Sequence, residues 1–147
     1  MDETAFRQAR EAAVRHPCPF EKALLAGCGA CSLSARMSIA EREAVACLDA
    51  AARDDCATLL GLMRRNSAFA LHLAQADAPL AHAQEMKVQC GGLVGLQRTL
   101  TGKEAIGDIH ALVQAARRAH ADLAALPYSE IVQSVAAWRT RRRAGPS

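Results

Sequence analysis

Residues 54–75, DDCATLLGLMRRNSAFALHLAQ, predict the longest helix of this chain. Asp54 and Asp55 suit the electropositive N-terminal end of a helix. Large apolar side chains then recur at helical spacing, and those expected to face the core are Leu59, Leu60, Met63, Phe69, Leu71 and Leu73. Alanine and leucine, the commonest residues here, both favour helix. This stretch therefore predicts a fold built from helices.

The rest of the chain favours the same fold class. Further helices are expected at residues 2–15, 19–26, 38–52, 101–125 and 129–138. Ser38-Ile39-Ala40-Glu41 and Thr101-Gly102-Lys103-Glu104 are both capping-box sequences, typical of helix starts. Residues 80–100 are expected to be irregular, since they contain Gly91, Gly92 and Gly95. The sequence thus predicts an all-α protein, a single-domain irregular bundle of about six helices with cysteine-bearing loops.

The chain length and charge indicate one domain and a short tail. The chain has 147 residues, a length that suits a single helical domain over residues 1–138, the part of the chain that carries all six cysteines. Residues 139–147 are expected to form a basic, disordered tail carrying Arg139, Arg141, Arg142 and Arg143. Without those arginines the body is close to neutral, so nucleic-acid binding is not expected.

The N-terminus and the apolar runs favour a cytoplasmic protein. Residues 1–7, MDETAFR, lack the basic and apolar regions of a signal peptide. No apolar run approaches the roughly 20 residues of a membrane span. Cytoplasmic thiols stay reduced, which argues against three structural disulfides and favours metal or redox use of the cysteines.

The six cysteines are the features that predict function. All fall where we expect loops or helix ends: Cys18, Cys28, Cys31, Cys47, Cys56 and Cys90. Cys28-Gly29-Ala30-Cys31 is a close pair with a flexible centre, and Cys90 runs into Gly91-Gly92. Small neighbours let backbone N–H groups approach the sulfurs of a cluster. The pattern predicts a metal or iron–sulfur site.

The expected cofactor is an iron–sulfur cluster, of the 4Fe–4S type, which needs four thiolates. The candidate ligands, for a cluster or another metal, are Cys28, Cys31, Cys47, Cys56 and Cys90. Cys28 is interchangeable with one of the others. Cys18 ranks last, since an ordinary buried thiol explains it equally well. The spacing matches no ferredoxin pattern.

Zinc is the alternative cofactor, held by four cysteines or by three and a histidine. His16 lies two residues before Cys18, whereas His72, His110 and His120 are expected to be surface or core residues. No catalytic constellation is evident, so an enzyme is not expected. A thiol oxidoreductase ranks third, because the CxxC pair lacks a βαβ context.

Two functions follow from these expectations. The first is a small cytoplasmic iron–sulfur protein that transfers electrons or senses redox state or iron, together with a redox partner protein. The alternative is a helical regulatory or interaction protein with a structural zinc site, which uses the Arg139–Arg143 segment on an acidic partner.

Overall fold

The computed structural model describes residues 2–73, 79–103 and 105–139. Its α-helices are α1 (Glu3–Ala13), α2 (Glu21–Leu25), α3 (Ala50–Ser67), α4 (His82–Met86), α5 (Gly92–Thr101), α6 (Ile109–His120) and α7 (Tyr128–Ala137). Its strands are β1 (Ser34–Ile39) and β2 (Arg42–Cys47). A π-helical segment, Lys87–Gly91, joins α4 to α5, and a 3₁₀ turn, Leu123–Ala125, precedes α7. Glu104 of the second predicted capping box, and residues 140–147 of the predicted tail, lie outside the described residues.

The all-α prediction is wrong, because residues 34–47 form an antiparallel hairpin. Its register runs from Ser34 opposite Cys47 to Ile39 opposite Arg42. The turn consists of Ala40 and Glu41, whose φ angles of 48° and 73° have the left-handed values that two-residue hairpin turns require. The predicted capping box at residues 38–41 is therefore a hairpin turn, and the helix expected over residues 38–52 does not form.

Strand β2 is stabilised by hydrogen bonds from outside the hairpin. The Cys18 N–H donates to the Val45 carbonyl at 2.9 Å, and the Cys47 N–H donates to the His16 carbonyl at 2.7 Å. The Glu21 carboxylate accepts from the Val45 N–H at 2.8 Å. These non-local partners outweigh the local helical signal, as is common for strands. They also place the segment that carries Cys18 beside the end of β2.

Two aspartates set helix starts that differ from the predicted ones. Asp49 caps α3 by accepting from the backbone N–H groups of Ala51 and Ala52, so α3 begins before Asp54. Asp108 caps α6 by accepting from the His110 N–H. Cys56 therefore lies in the second turn of α3. Because α3 ends at Ser67, the predicted core residue Phe69 is instead 94 % exposed.

Residues 82–101 are helical, which corrects the prediction of an irregular segment. The glycines do not bend this chain; they let other helices approach it. A Cβ on Gly91 would lie 2.7 Å from the Cα of Val135, and one on Gly95 would lie 2.9 Å from the Ile131 carbonyl oxygen. Both partners belong to α7. The core forms where the π segment and α5 pack on α3, α6 and α7, and its largest fully buried side chains include Leu59, Met63, Leu93, Leu96, Ile109 and Ile131.

Candidate metal centre

Four free cysteines line one small cavity at the junction of the hairpin, α3 and α6. They are Cys18, Cys31, Cys47 and Cys56. The cavity volume is about 20 Å³, roughly enough for one water molecule. The remaining wall is mainly apolar and includes Phe20, Leu33, Ala46, Ala52 and Ile109. The fold therefore gathers four soft donors from four separate places in the sequence.

The hairpin positions two of these thiols. Cys47 is the last residue of β2, and the pairing of Pro17 with Ala46 brings Cys18 alongside it. Pro17 and Pro19 favour the extended backbone that this pairing uses. The Cys47 thiol donates a hydrogen bond to the Asp49 carbonyl oxygen at 3.2 Å. The turn from β2 into α3 thus fixes its orientation.

Asp108 holds the loop that carries Cys31. Its carboxylate accepts from the backbone N–H and from the hydroxyl of Ser32, both at 3.0 Å. The Ile109 N–H donates to the Ala30 carbonyl at 2.8 Å. These bonds tie both sides of Cys31 to the start of α6. Burial is the largest single influence on the Asp108 carboxyl and by itself would raise its pKa. The hydrogen bonds from Ser32 and from the His110 N–H together outweigh burial, so the pKa lies below its usual range.

Cys28 and Cys90, both predicted ligands, are joined to each other by a disulfide and are not part of the cavity. Their Cα atoms lie 5.8 Å apart, and 62 positions separate them in sequence. Cys90 is fully buried in the π segment. Of the six cysteines, this one pair is therefore disulfide-bonded and the other four are free. The structure groups the other predicted ligands, Cys31, Cys47 and Cys56, with Cys18.

Cys18 ranks last among the cysteines as a ligand predicted from sequence, yet its neighbours in the sequence contain a usable signal. Proline on both sides keeps Cys18 extended. An extended segment can add to the edge of a strand and carry a thiol to the end of that strand. This proline pattern predicts that Cys18 lies beside Cys47 only if residues 42–47 are known to form β2. The capping-box sequence at residues 38–41 predicts a helix there instead.

Burial makes two of the thiols harder to ionise than an ordinary cysteine. It raises the pKa of Cys56 to about 12 and that of Cys18 to about 11. The neighbouring thiols add to both shifts by charge repulsion, whereas a hydrogen bond from the Phe20 N–H opposes the shift at Cys18. Charge on these sulfurs therefore needs a compensating cation, such as a metal ion.

Two helix N-termini border the cavity and favour negative charge within it. Ala52 lies in the first turn of α3 and Ile109 is the first residue of α6, and both line the wall. The positive ends of helix dipoles stabilise nearby anions such as thiolates. Arg53 and His110 also line the cavity. His110, expected to be a surface or core residue, thus belongs to the site.

The donor set suits a thiolate-bound metal, but the thiols are not drawn together around a single point. Within residues 2–73, 79–103 and 105–139, no three His, Cys, Asp or Glu side chains form a group that could hold a metal ion as arranged. Binding of one ion would therefore require these side chains to rearrange. A cluster would in addition require a cavity wider than about 20 Å³.

No protein-family model, curated protein or solved structure matches this chain. In the part of the chain that the structure describes, no helix has the length and apolarity needed to cross a membrane.

Metal affinity should keep rising with pH well above neutrality, because the raised pKa values of Cys18 and Cys56 keep both thiols protonated up to about pH 11. A metal must displace both protons, so lowering the pH weakens binding and raising it strengthens binding. We expect an apparent affinity gain of about 100-fold per pH unit to persist between about pH 9 and 10, where thiols with the ordinary pKa of about 8.5 are already ionised and add no gain. Zinc competition against a chelator of known pH dependence measures it. A gain that levels off by about pH 9 would contradict the raised values.

Proposed function

We propose that this protein binds an iron–sulfur cluster through Cys18, Cys31, Cys47 and Cys56, and that it acts in electron transfer or in sensing redox state or iron. The observation that carries the proposal is that four free thiols line one cavity. Four cysteine thiolates are the usual ligands of 4Fe–4S clusters. Such a cluster supplies reversible one-electron chemistry when bound. This ligand set replaces the sequence-based one that included Cys28 and Cys90.

The surroundings of the thiols support a cluster in two ways. The largely apolar wall shields the site from water, and the Phe20 N–H already points at the Cys18 sulfur. Backbone N–H groups directed at sulfur tune the potential of such centres. The helix N-termini of α3 and α6 compensate part of the negative charge that four thiolates bring.

Structural zinc is the second candidate, and the size of the cavity favours it. A volume of about 20 Å³ is closer to a single ion than to a cluster. Four cysteines are also an established structural zinc set, with tetrahedral geometry. In that case the protein is a regulatory or interaction protein, and the metal fastens the loop of Cys31 and the segment of Cys18 to α3.

We propose a reducing compartment, the cytoplasm, on account of the four free thiols around one cavity. Neighbouring thiols are prone to pair with each other where conditions are oxidising. The Cys28–Cys90 disulfide argues in the other direction, but Cys90 is fully buried, which protects that bond from reductants. Alkylation of Cys28 and Cys90 in freshly lysed cells, read by mass spectrometry, reports the state of the pair in the compartment.

Anaerobic purification decides between the two metals. We expect brown protein with iron and acid-labile sulfide in near-equal amounts and absorption in the visible range, which zinc lacks. Colourless protein with about one zinc per chain, and no cluster after reconstitution with iron and sulfide, would establish the zinc alternative instead. Protein that binds neither metal would refute both.

A further inference from the structure

A second and much larger cavity lies apart from the four free thiols. Its volume is about 820 Å³, within the range of cavities that bind small organic molecules. It is bordered by the loop that carries Cys28, by α5 and by the end of α7, since its lining includes Gly29, Val94 and Trp138. Among the described residues, none lines both cavities. This cavity is therefore a separate candidate for ligand binding.

The walls of the large cavity are held by bonds within the protein. Cys28 lines it, and the disulfide to Cys90 ties this loop to the π segment. The Lys87 Nζ donates to the Trp138 carbonyl oxygen at 2.9 Å, and the Trp138 N–H donates to the Ser134 carbonyl oxygen at 2.9 Å. These bonds fix the chain where α7 ends. A preformed cavity binds a ligand at a low cost in ordering.

The lining of this cavity combines apolar surface with positive charge. Its larger apolar residues are Met86, Val94, Ile106 and Trp138. Arg98 and Arg139 also line it, whereas no aspartate or glutamate among the described residues does. The Arg98 guanidinium donates to the Ser134 Oγ at 3.2 Å, and the serine hydroxyl, which also lines the cavity, keeps a proton to donate. Guanidinium groups bind carboxylates and phosphates through paired hydrogen bonds.

We propose that this cavity binds a small organic anion, a carboxylate or phosphate group carried on an apolar body. The apolar body packs against the four apolar residues, and its removal from water favours binding. The two arginines and the serine hydroxyl supply donors for the anionic group, and such charge-assisted bonds select it over a neutral analogue. This site goes beyond the proposed metal function and does not depend on it.

Decanoate and decyl phosphate are the anionic probes, and decanol is their neutral analogue with the same chain length. Trp138 is the only tryptophan of the chain, so its fluorescence reports when the cavity is filled. The full chain is titrated with each probe below the concentration at which it forms micelles. We expect at least one of the anions to bind about tenfold or more tighter than decanol, as one charge-assisted hydrogen bond provides.

Arg98→Gln and Arg139→Gln should each weaken binding of that anion by about tenfold and leave decanol binding unchanged, which shows that the cavity is intact. Arg65→Gln is the matched control, because Arg65 lies in the last turn of α3 and does not line the cavity. It should change the affinity for neither probe.

Three results would overturn the inference. They are no binding of either anion at millimolar concentration, equal affinity for the anions and for decanol, and unchanged anion affinity in both Arg98→Gln and Arg139→Gln. Metal content is measured separately on the same protein. A failure of this inference therefore leaves the proposed function standing, and a protein without metal leaves this site standing.

Discussion

Serine in place of any one of Cys18, Cys31, Cys47 or Cys56 is expected to abolish stable metal binding. Each side chain is one of the four free thiols around the cavity, and each comes from a different part of the sequence. Loss of one thiolate leaves three ligands and admits water to a largely apolar site. Supporting residues alone commonly contribute 10–100-fold to metal affinity, so loss of a direct ligand should cost more than about 100-fold. Metal content after passage through a chelating resin measures the effect.

The double variant Cys28→Ser with Cys90→Ser is the control. It removes both sulfurs of the disulfide at once and leaves no unpaired thiol. We expect full metal content, with a free energy of unfolding lower by roughly 4 kcal/mol, the chain-entropy value for a loop that spans 62 positions. If this variant loses its metal while Cys18→Ser keeps it, the ligand set predicted from sequence is right and the one proposed from the structure is wrong.

The sequence predicted helices well where their signals were local. The ends of α1 (Glu3–Ala13), α2 (Glu21–Leu25) and α7 (Tyr128–Ala137) lie within two residues of the predicted ends. Asp2 caps α1, and Gly27 follows α2 with a φ of 79°. In these three helices, the caps, the prolines and the apolar residues that predict the helix all lie within it or directly beside it.

The hairpin could not be predicted in this way, because its stabilising partners are distant in sequence. Ser38 and Glu41 satisfy the spacing of a capping box, while the bonds that decide the outcome come from His16, Cys18 and Glu21. Local propensity cannot weigh a carbonyl 31 positions away, such as that of His16 for the Cys47 N–H. The same error affected the site. Because β2 brings Cys18 beside Cys47, a sequence reading without β2 does not predict that these two thiols are close.

Three of the five predicted ligands, Cys31, Cys47 and Cys56, lie at one cavity. Cys90 lies in the π segment, and Gly91 beside it, which predicts a bend, instead allows α7 to approach. A glycine that permits a turn and one that permits a close helix approach look the same in a single sequence. Only the position of α7 distinguishes them, and that position is a property of the whole fold.

Gly91→Ala is expected to be the most destabilising small substitution outside the cavity. The added methyl group would lie 2.7 Å from the Val135 Cα, 2.8 Å from the Ser134 carbonyl oxygen and 2.9 Å from the Trp138 Cβ. The first two of these atoms are backbone and the third adjoins it, so no side-chain rotation relieves the overlap. α7 must therefore shift away from the π segment. We expect the free energy of unfolding to fall by about 3 kcal/mol, the upper part of the usual range for overpacking.

Gly61→Ala provides the matched control for the same chemical change. Gly61 lies within α3, and a Cβ there would have no neighbour within 4 Å. Alanine should raise the free energy of unfolding by about 0.5–1 kcal/mol, because glycine is the poorer helix former. Urea unfolding followed by circular dichroism compares the two variants. Metal content should be unchanged in both, since neither glycine borders the thiols. If Gly91→Ala is as stable as wild type, α7 does not pack against the π segment at this distance. Close helix packing would then no longer explain the neighbouring glycines either.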